Sequence, residues 1–159
     1  MSLAQQAIAE LTSTEDFFNR STRNLQEAHS TYAPVAGMMT AAQQLAHAAQ
    51  TIDWFMDGAF SADGFRMDFD GMANEVNAYT SLAEARAWFT KAMASAKALL
   101  AGKSDADLLV PLPPGPIMGG APRLAVISAI VDHTAHHRGA LTVYARLNDI
   151  VPPMPYMET

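Results

Sequence analysis

Residues 132–147 read DHTAHHRGALTVYARL, and this stretch decides how the rest of the chain is understood. Its apolar residues recur at helical rather than alternating spacing, so it predicts an α-helix. At about 100° per residue, His133 and His137 lie one turn apart on one side of that helix. Val126 and Ile130 upstream, and Leu141 and Tyr144 downstream, share their face, so both imidazoles point inward among apolar side chains. Burying an unpaired polar group costs roughly 1–3 kcal/mol, and a divalent metal would satisfy both rings at once. The i,i+4 spacing is that of the HExxH zinc helices. The glutamate of that motif is replaced by Thr134, which removes the general base of a zincin-type protease. His136 is turned by about 60° from His133 and about 100° from His137, which suits a supporting or helix-contact residue better than a ligand of the same ion. The plain alternative is a hydrogen-bonded structural pair.

Outward from this helix the chain is rich in Ala, Leu, Met, Gln and Glu and poor in β-branched runs, so it predicts helices throughout. The final helix is expected from about Pro122, as a first-turn proline, through Arg146. Before it, VPLPPGPIMGGAP carries five prolines and three glycines and reads as a loop, with Ile117 and Met118 placed to shield a site or a subunit face. A first helix is expected over about Leu3–Leu25, with Thr12 or Ser13 as internal weak points, and a second over about Met38–Met56, ending near Gly58. Asp57–Asn77 reads as a long irregular connection with room for a short hairpin, its Asp63, Asp68 and Asp70 solvated. A third helix begins at Thr80 or Ser81, with Ser81 and Glu84 spaced as a capping box, and stops at Gly102. The ten Met residues read as core filler.

The chain has 159 residues, Lys+Arg 10 against Asp+Glu 16, and no Cys. That length suits one domain, residues 1–159, with a real core. The net charge of −6 argues against a nucleic-acid or anionic-membrane partner. The N-terminus lacks the pattern of a signal peptide, and no stretch approaches the roughly 20 apolar residues of a membrane span, so a cytoplasmic protein is expected. Without Cys there is no disulfide or thiolate site, and any metal must be held by His or carboxylate.

A catalytic metal keeps three protein ligands and an open position, so a third ligand is sought. His47 sits mid-helix, but on an ideal wheel it falls opposite the Leu45–Ala49–Ile52 stripe, with Gln43, Thr51 and Trp54. Either that face is solvent, or it lines a polar pocket within a bundle. His29, the rival, lies near a helix end without organised surroundings.

These residues resemble the DinB/YfiT-like metalloenzyme superfamily, which is unrelated to the translesion polymerase of similar name. The similarity rests on DHTAHHRGALTVYARL, close to the family's H-x-x-H-H-R-G-Q and following Arg-Leu; on PPMPY at residues 152–156; and on APVAGMMTAAQQLA before His47. The resemblance implies an all-α, up-down-down-up four-helix bundle, often dimeric, with a nickel or zinc site made by His47, His133 and His137. It implies that His136 and Arg138 are supporting neighbours. Two departures stand out: Ala140 replaces the family's Gln, and Asn148-Asp149 replaces its Gly, a place where Asn and Asp tolerate left-handed geometry.

Three neutral imidazoles leave a divalent ion its full charge and open positions, able to activate water or a thiol. The resemblance implies a low-molecular-weight-thiol-dependent transferase or isomerase, with a small-molecule thiol and an electrophile as partners. Gln43, Trp54 and Tyr144 are candidate pocket walls because they share a face with the ligands. The alternatives are a metal-dependent hydrolase, for which no well-placed Glu is evident, and a non-catalytic metal-binding stress-related bundle.

Overall fold

Hydroxyl side chains start most of the helices: Ser2, Thr40, Ser81 and Ser104 each accept from the backbone N–H three residues on, at 3.2, 3.3, 3.2 and 3.2 Å. Each satisfies one of the orphan donors of a helix N-terminus. The structure, a computed structural model, describes residues 1–157. Among these it has six α-helices and no strand: α1 Leu3–Thr22, α2 Ala41–Phe60, α3 Phe69–Asn77, α4 Leu82–Ala101, α5 Asp105–Leu109 and α6 Ala125–Leu147. A 3₁₀ turn over Glu27–His29 follows α1.

The all-helical expectation holds, with four shifts. First, α2 begins at Ala41 because Thr40 and Gln43 form a reciprocal capping box, and it runs through Gly58 to Phe60. The Phe65 ring lies where a side chain on Gly58 would sit, so glycine serves close packing there rather than ending the helix. Second, the long irregular connection is only partly irregular. Asp68 accepts from Gly71 N–H at 2.9 Å and starts α3, whose Met72 and Val76 are buried. Third, the Ser81–Glu84 box is half formed: Ser81 Oγ accepts from Glu84 N–H without the return bond, while the free N–H groups of Leu82 and Ala83 are taken by Ser30 Oγ and Glu27 Oε2 across the fold. Fourth, α6 starts at Ala125 rather than Pro122; Pro122 instead forms an isolated antiparallel bridge with Pro111. Thr12 does not interrupt α1, which runs unbroken past it with the hydroxyl donating to Ile8 C=O at 2.8 Å. Half of the methionines (Met1, Met38, Met67, Met154 and Met157) are exposed, so they do not all fill the core.

Packing follows a ring in which α2 lies against α4 and α6, while α1 lies against the same two helices. Leu11, Phe18, Leu45, Ile52, Phe89 and Ile130 are among the fully buried side chains of one cluster, with Phe18 and Phe89 stacked at 4.4 Å between ring centroids. Because α3 also packs on it, α2 is enclosed on most sides, and only Asp57 of its residues is exposed. At the far end of α6, Asn148 and Asp149 replace a glycine cap, and Asp149 takes the left-handed conformation at φ 58°. No helix among the described residues is long and apolar enough to cross a membrane.

Candidate metal centre

Enclosure of α2 settles the surroundings of His47. The face opposite its alanine-rich stripe turns toward α6 and α3 rather than to solvent, and it brings His47 against the pair on α6. The His47 ring centroid stands 5.0 Å from that of His133 and 5.0 Å from that of His137, and the latter two are 4.5 Å apart. One nitrogen from each ring lies within 4.8 Å of the other two, so the three could hold a metal ion. His133 Nε2 and His137 Nε2 are 3.3 Å apart. Two ligands of a tetrahedral ion at about 2.0–2.1 Å would stand about 3.3–3.4 Å from one another. His133 Nδ1 is buried without a hydrogen-bond partner. An all-nitrogen donor set with an unsatisfied buried atom fits a borderline divalent ion such as zinc or nickel.

Burial keeps these rings neutral. It lowers the pKa of His47, and with the neighbouring histidines it pushes His133 down to about 4 and His137 down to about 3. Neutral imidazole is the ligating form, so the site is ready at physiological pH.

Two glutamines that sequence reasoning missed complete the arrangement. His137 Nδ1 meets Gln44 Oε1 at 2.5 Å, Gln44 Nε2 donates to Tyr144 Oη at 3.3 Å, and Tyr144 Oη donates to Met39 C=O at 2.8 Å. On the other side, Gln50 stands one turn along α2 from His47, and its Nε2 donates to Met72 C=O and Glu75 Oε2, both at 2.9 Å. Their signal in the sequence is Gln44-x-x-His47-x-x-Gln50, two amides each three residues from the histidine.

A sequence profile of the DinB superfamily matches residues 10–141. The chain belongs to the DinB superfamily. That superfamily is metal-binding, and the three-histidine group is where this member could hold an ion. A crystal structure of a protein from Streptococcus pneumoniae is similar in fold, with a TM-score of 0.71 at 15% identity, over 92% of this chain and 91% of that one. No curated protein matches the chain.

The remaining candidate residues of this DinB-superfamily chain are distributed around the centre. His136 is exposed on α6, its ring 5.0 Å from that of His137. Arg138 turns away toward α1, over the Phe17 ring at 5.9 Å. His29 caps the 3₁₀ turn, its Nδ1 accepting from Gln26 N–H at 3.0 Å, and it is not one of the three histidines that converge. A cavity of about 220 Å³ opens on His47, walled chiefly by Met39, Phe69, Met72 and Val76 and edged by Gln50 and Asn77. Gln43, Trp54 and Tyr144 do not line it. Gln43 is held in the cap of α2 and donates to Asn77 C=O, Trp54 donates to Arg66 C=O at 2.7 Å among Phe55 and Phe65, and Tyr144 lies buried beneath Gln44. The mostly apolar walls come from α3, the helix that stands where the sequence predicts irregular chain.

Proposed function

We propose that His47, His133 and His137 hold a divalent ion, nickel or zinc, at the centre of an enzyme that transfers or isomerises using a low-molecular-weight thiol. The observation that carries this reading is the convergence of three neutral imidazoles from two helices, with their nitrogens within 4.8 Å of one another. When bound, such an ion lowers the pKa of a thiol or water held against it. The chain's own residues do the rest. Burial keeps the three rings uncharged, Gln44 holds His137 in register, and the cavity beside His47 accepts the apolar part of an electrophile. No carboxylate lines that cavity to serve as a general base, which favours thiol transfer over hydrolysis.

The bundle is read as up-down-down-up. Its support is a set of contacts: α2 and α4 both begin beside Ser30, the end of α1 meets Arg86 near the start of α4, and the start of α2 meets Tyr144 near the end of α6. A homodimer is part of the same proposal, with Val143 and Leu147, one turn apart and exposed on α6, as apolar surface for a second copy.

Transfer of glutathione, bacillithiol and mycothiol to a chromogenic electrophile, assayed with several divalent ions, tests the reaction. Turnover that needs both thiol and metal and disappears in His137→Ala is expected. Metal-dependent turnover of ester substrates without thiol would move the assignment to hydrolysis.

A further inference from the structure

Hydrogen-bond logic fixes the orientation of both glutamine amides flanking His47. Met39 C=O can only accept, so the Tyr144 hydroxyl must donate to it and accepts from Gln44. The amide of Gln44 therefore turns its Nε2 to Tyr144 and its Oε1 to His137, at 2.5 Å from Nδ1. An amide oxygen has no proton to give, so His137 carries its hydrogen on Nδ1 and presents a bare lone pair at Nε2. That Nε2 is the atom 3.3 Å from His133 Nε2, at the heart of the cluster. At Gln50 the same reasoning runs from two acceptors, Met72 C=O and Glu75 Oε2, which between them occupy both hydrogens of its amide nitrogen. Only its oxygen is left to accept. Glu75 is itself held by Arg66 at 2.7 Å, and Arg66 also pairs with Asp68 at the start of α3, so the Gln50 amide is tied to the segment between α2 and α3.

We infer that Gln44 is a positioning residue that sets the tautomer of His137, fixing which nitrogen offers its lone pair to the centre. The inference rests on the metal reading above for its purpose, and on hydrogen bonding alone for the tautomer. His133 has no such partner, and its Nδ1 is orphaned. The centre thus has one ligand, His137, fixed in advance and one, His133, left to adjust, three residues before the exposed His136.

Outer hydrogen-bond partners of a ligating histidine are typically worth 10–100-fold in metal affinity. Gln44→Leu preserves size in a buried position and removes the acceptor; Gln44→Glu restores an acceptor facing Nδ1. Two readouts are taken on the folded chain, checked by circular dichroism: the zinc dissociation constant by competition with a chromophoric chelator, and the imidazole nitrogen shifts of the metal-free protein by NMR. We expect the Nδ1–H form at His137 in the wild type. Gln44→Leu should lose that form and bind zinc 10–100-fold more weakly, and Gln44→Glu should recover both. Tyr144→Phe, which frees the Gln44 amide to flip, should give a mixture of tautomers. An Nε2–H form at His137 in the wild type, or a Gln44→Leu protein with unchanged shifts and affinity, would overturn the inference. A wild type with the Nδ1–H form that takes up no zinc or nickel would instead overturn the metal reading and, with it, the purpose assigned to Gln44.

Discussion

At the scale of the residue, the protonation of two histidines sets how the metal-free protein responds to acid. The folded chain holds His133 near about 4 and His137 near about 3, against an ordinary 6.5, chiefly because burial penalises the charged ring. Below pH 6.5 the unfolded chain therefore takes up protons that the folded chain refuses. Stability from this source is complete above pH 6.5 and is lost as pH falls toward 4. Urea midpoints of the metal-free protein should decline across that window, and the decline should be shallower in His137→Gln; equal slopes would contradict the burial argument. Asp149 poses a smaller residue-level question. It occupies the left-handed region at φ 58°, where a side chain is strained and glycine is not. Asp149→Gly should stabilise by roughly 0.5–1 kcal/mol, read as a raised unfolding midpoint, whereas Asp149→Val should lower it.

At the scale of the element, each helix depends on what closes its ends and what presses on its sides. Arg86 of α4 closes α1: its guanidinium donates to Thr22 Oγ1, Thr22 C=O and Leu25 C=O at 3.1, 2.6 and 3.2 Å. These carbonyls lie at a helix C-terminus, where a cation also complements the dipole. Arg86→Met leaves them without that partner in a half-buried setting and should cost about 2–3 kcal/mol. Arg86→Lys should recover little of it, since an ammonium cannot reproduce the planar fork. Gly58→Ala improves helix propensity yet collides with the Phe65 ring, and should destabilise by about 1–3 kcal/mol; a stabilised variant would show that the 61–68 segment yields freely. The same distinction between ends and sides explains what could be read from the sequence. Residues 132–147 disclosed their helix and the inward histidine pair because α6 has one buried and one solvated face, which is what a helical wheel assumes. On that wheel His47 stayed undecided, since α2 is enclosed by α4, α6 and α3 and has no solvated face for comparison. The helix α3 escaped notice because it is nine residues long and is started by an aspartate after an irregular run. Gln44 and Gln50 were invisible for a related reason: their roles appear only once the partner helices are in place.

At the scale of the whole molecule, a ring of four long helices brings side chains 86 to 90 residues apart in sequence into one cluster, His47 from α2 with His133 and His137 from α6. A ligand that binds only the folded state adds RT ln(1 + [L]/Kd) to stability, about 2.7 kcal/mol at a hundredfold excess over Kd. Zinc or nickel should therefore raise the thermal midpoint of the wild type and leave that of His47→Ala unmoved. The most direct test is elemental analysis of protein purified without added metal or a histidine tag, beside His47→Ala, His133→Ala and His137→Ala. The account predicts close to one divalent ion per chain in the wild type and a large loss in each variant, since each removes one of three ligands. Equal metal content in all four proteins, whether near zero or near one, would contradict it.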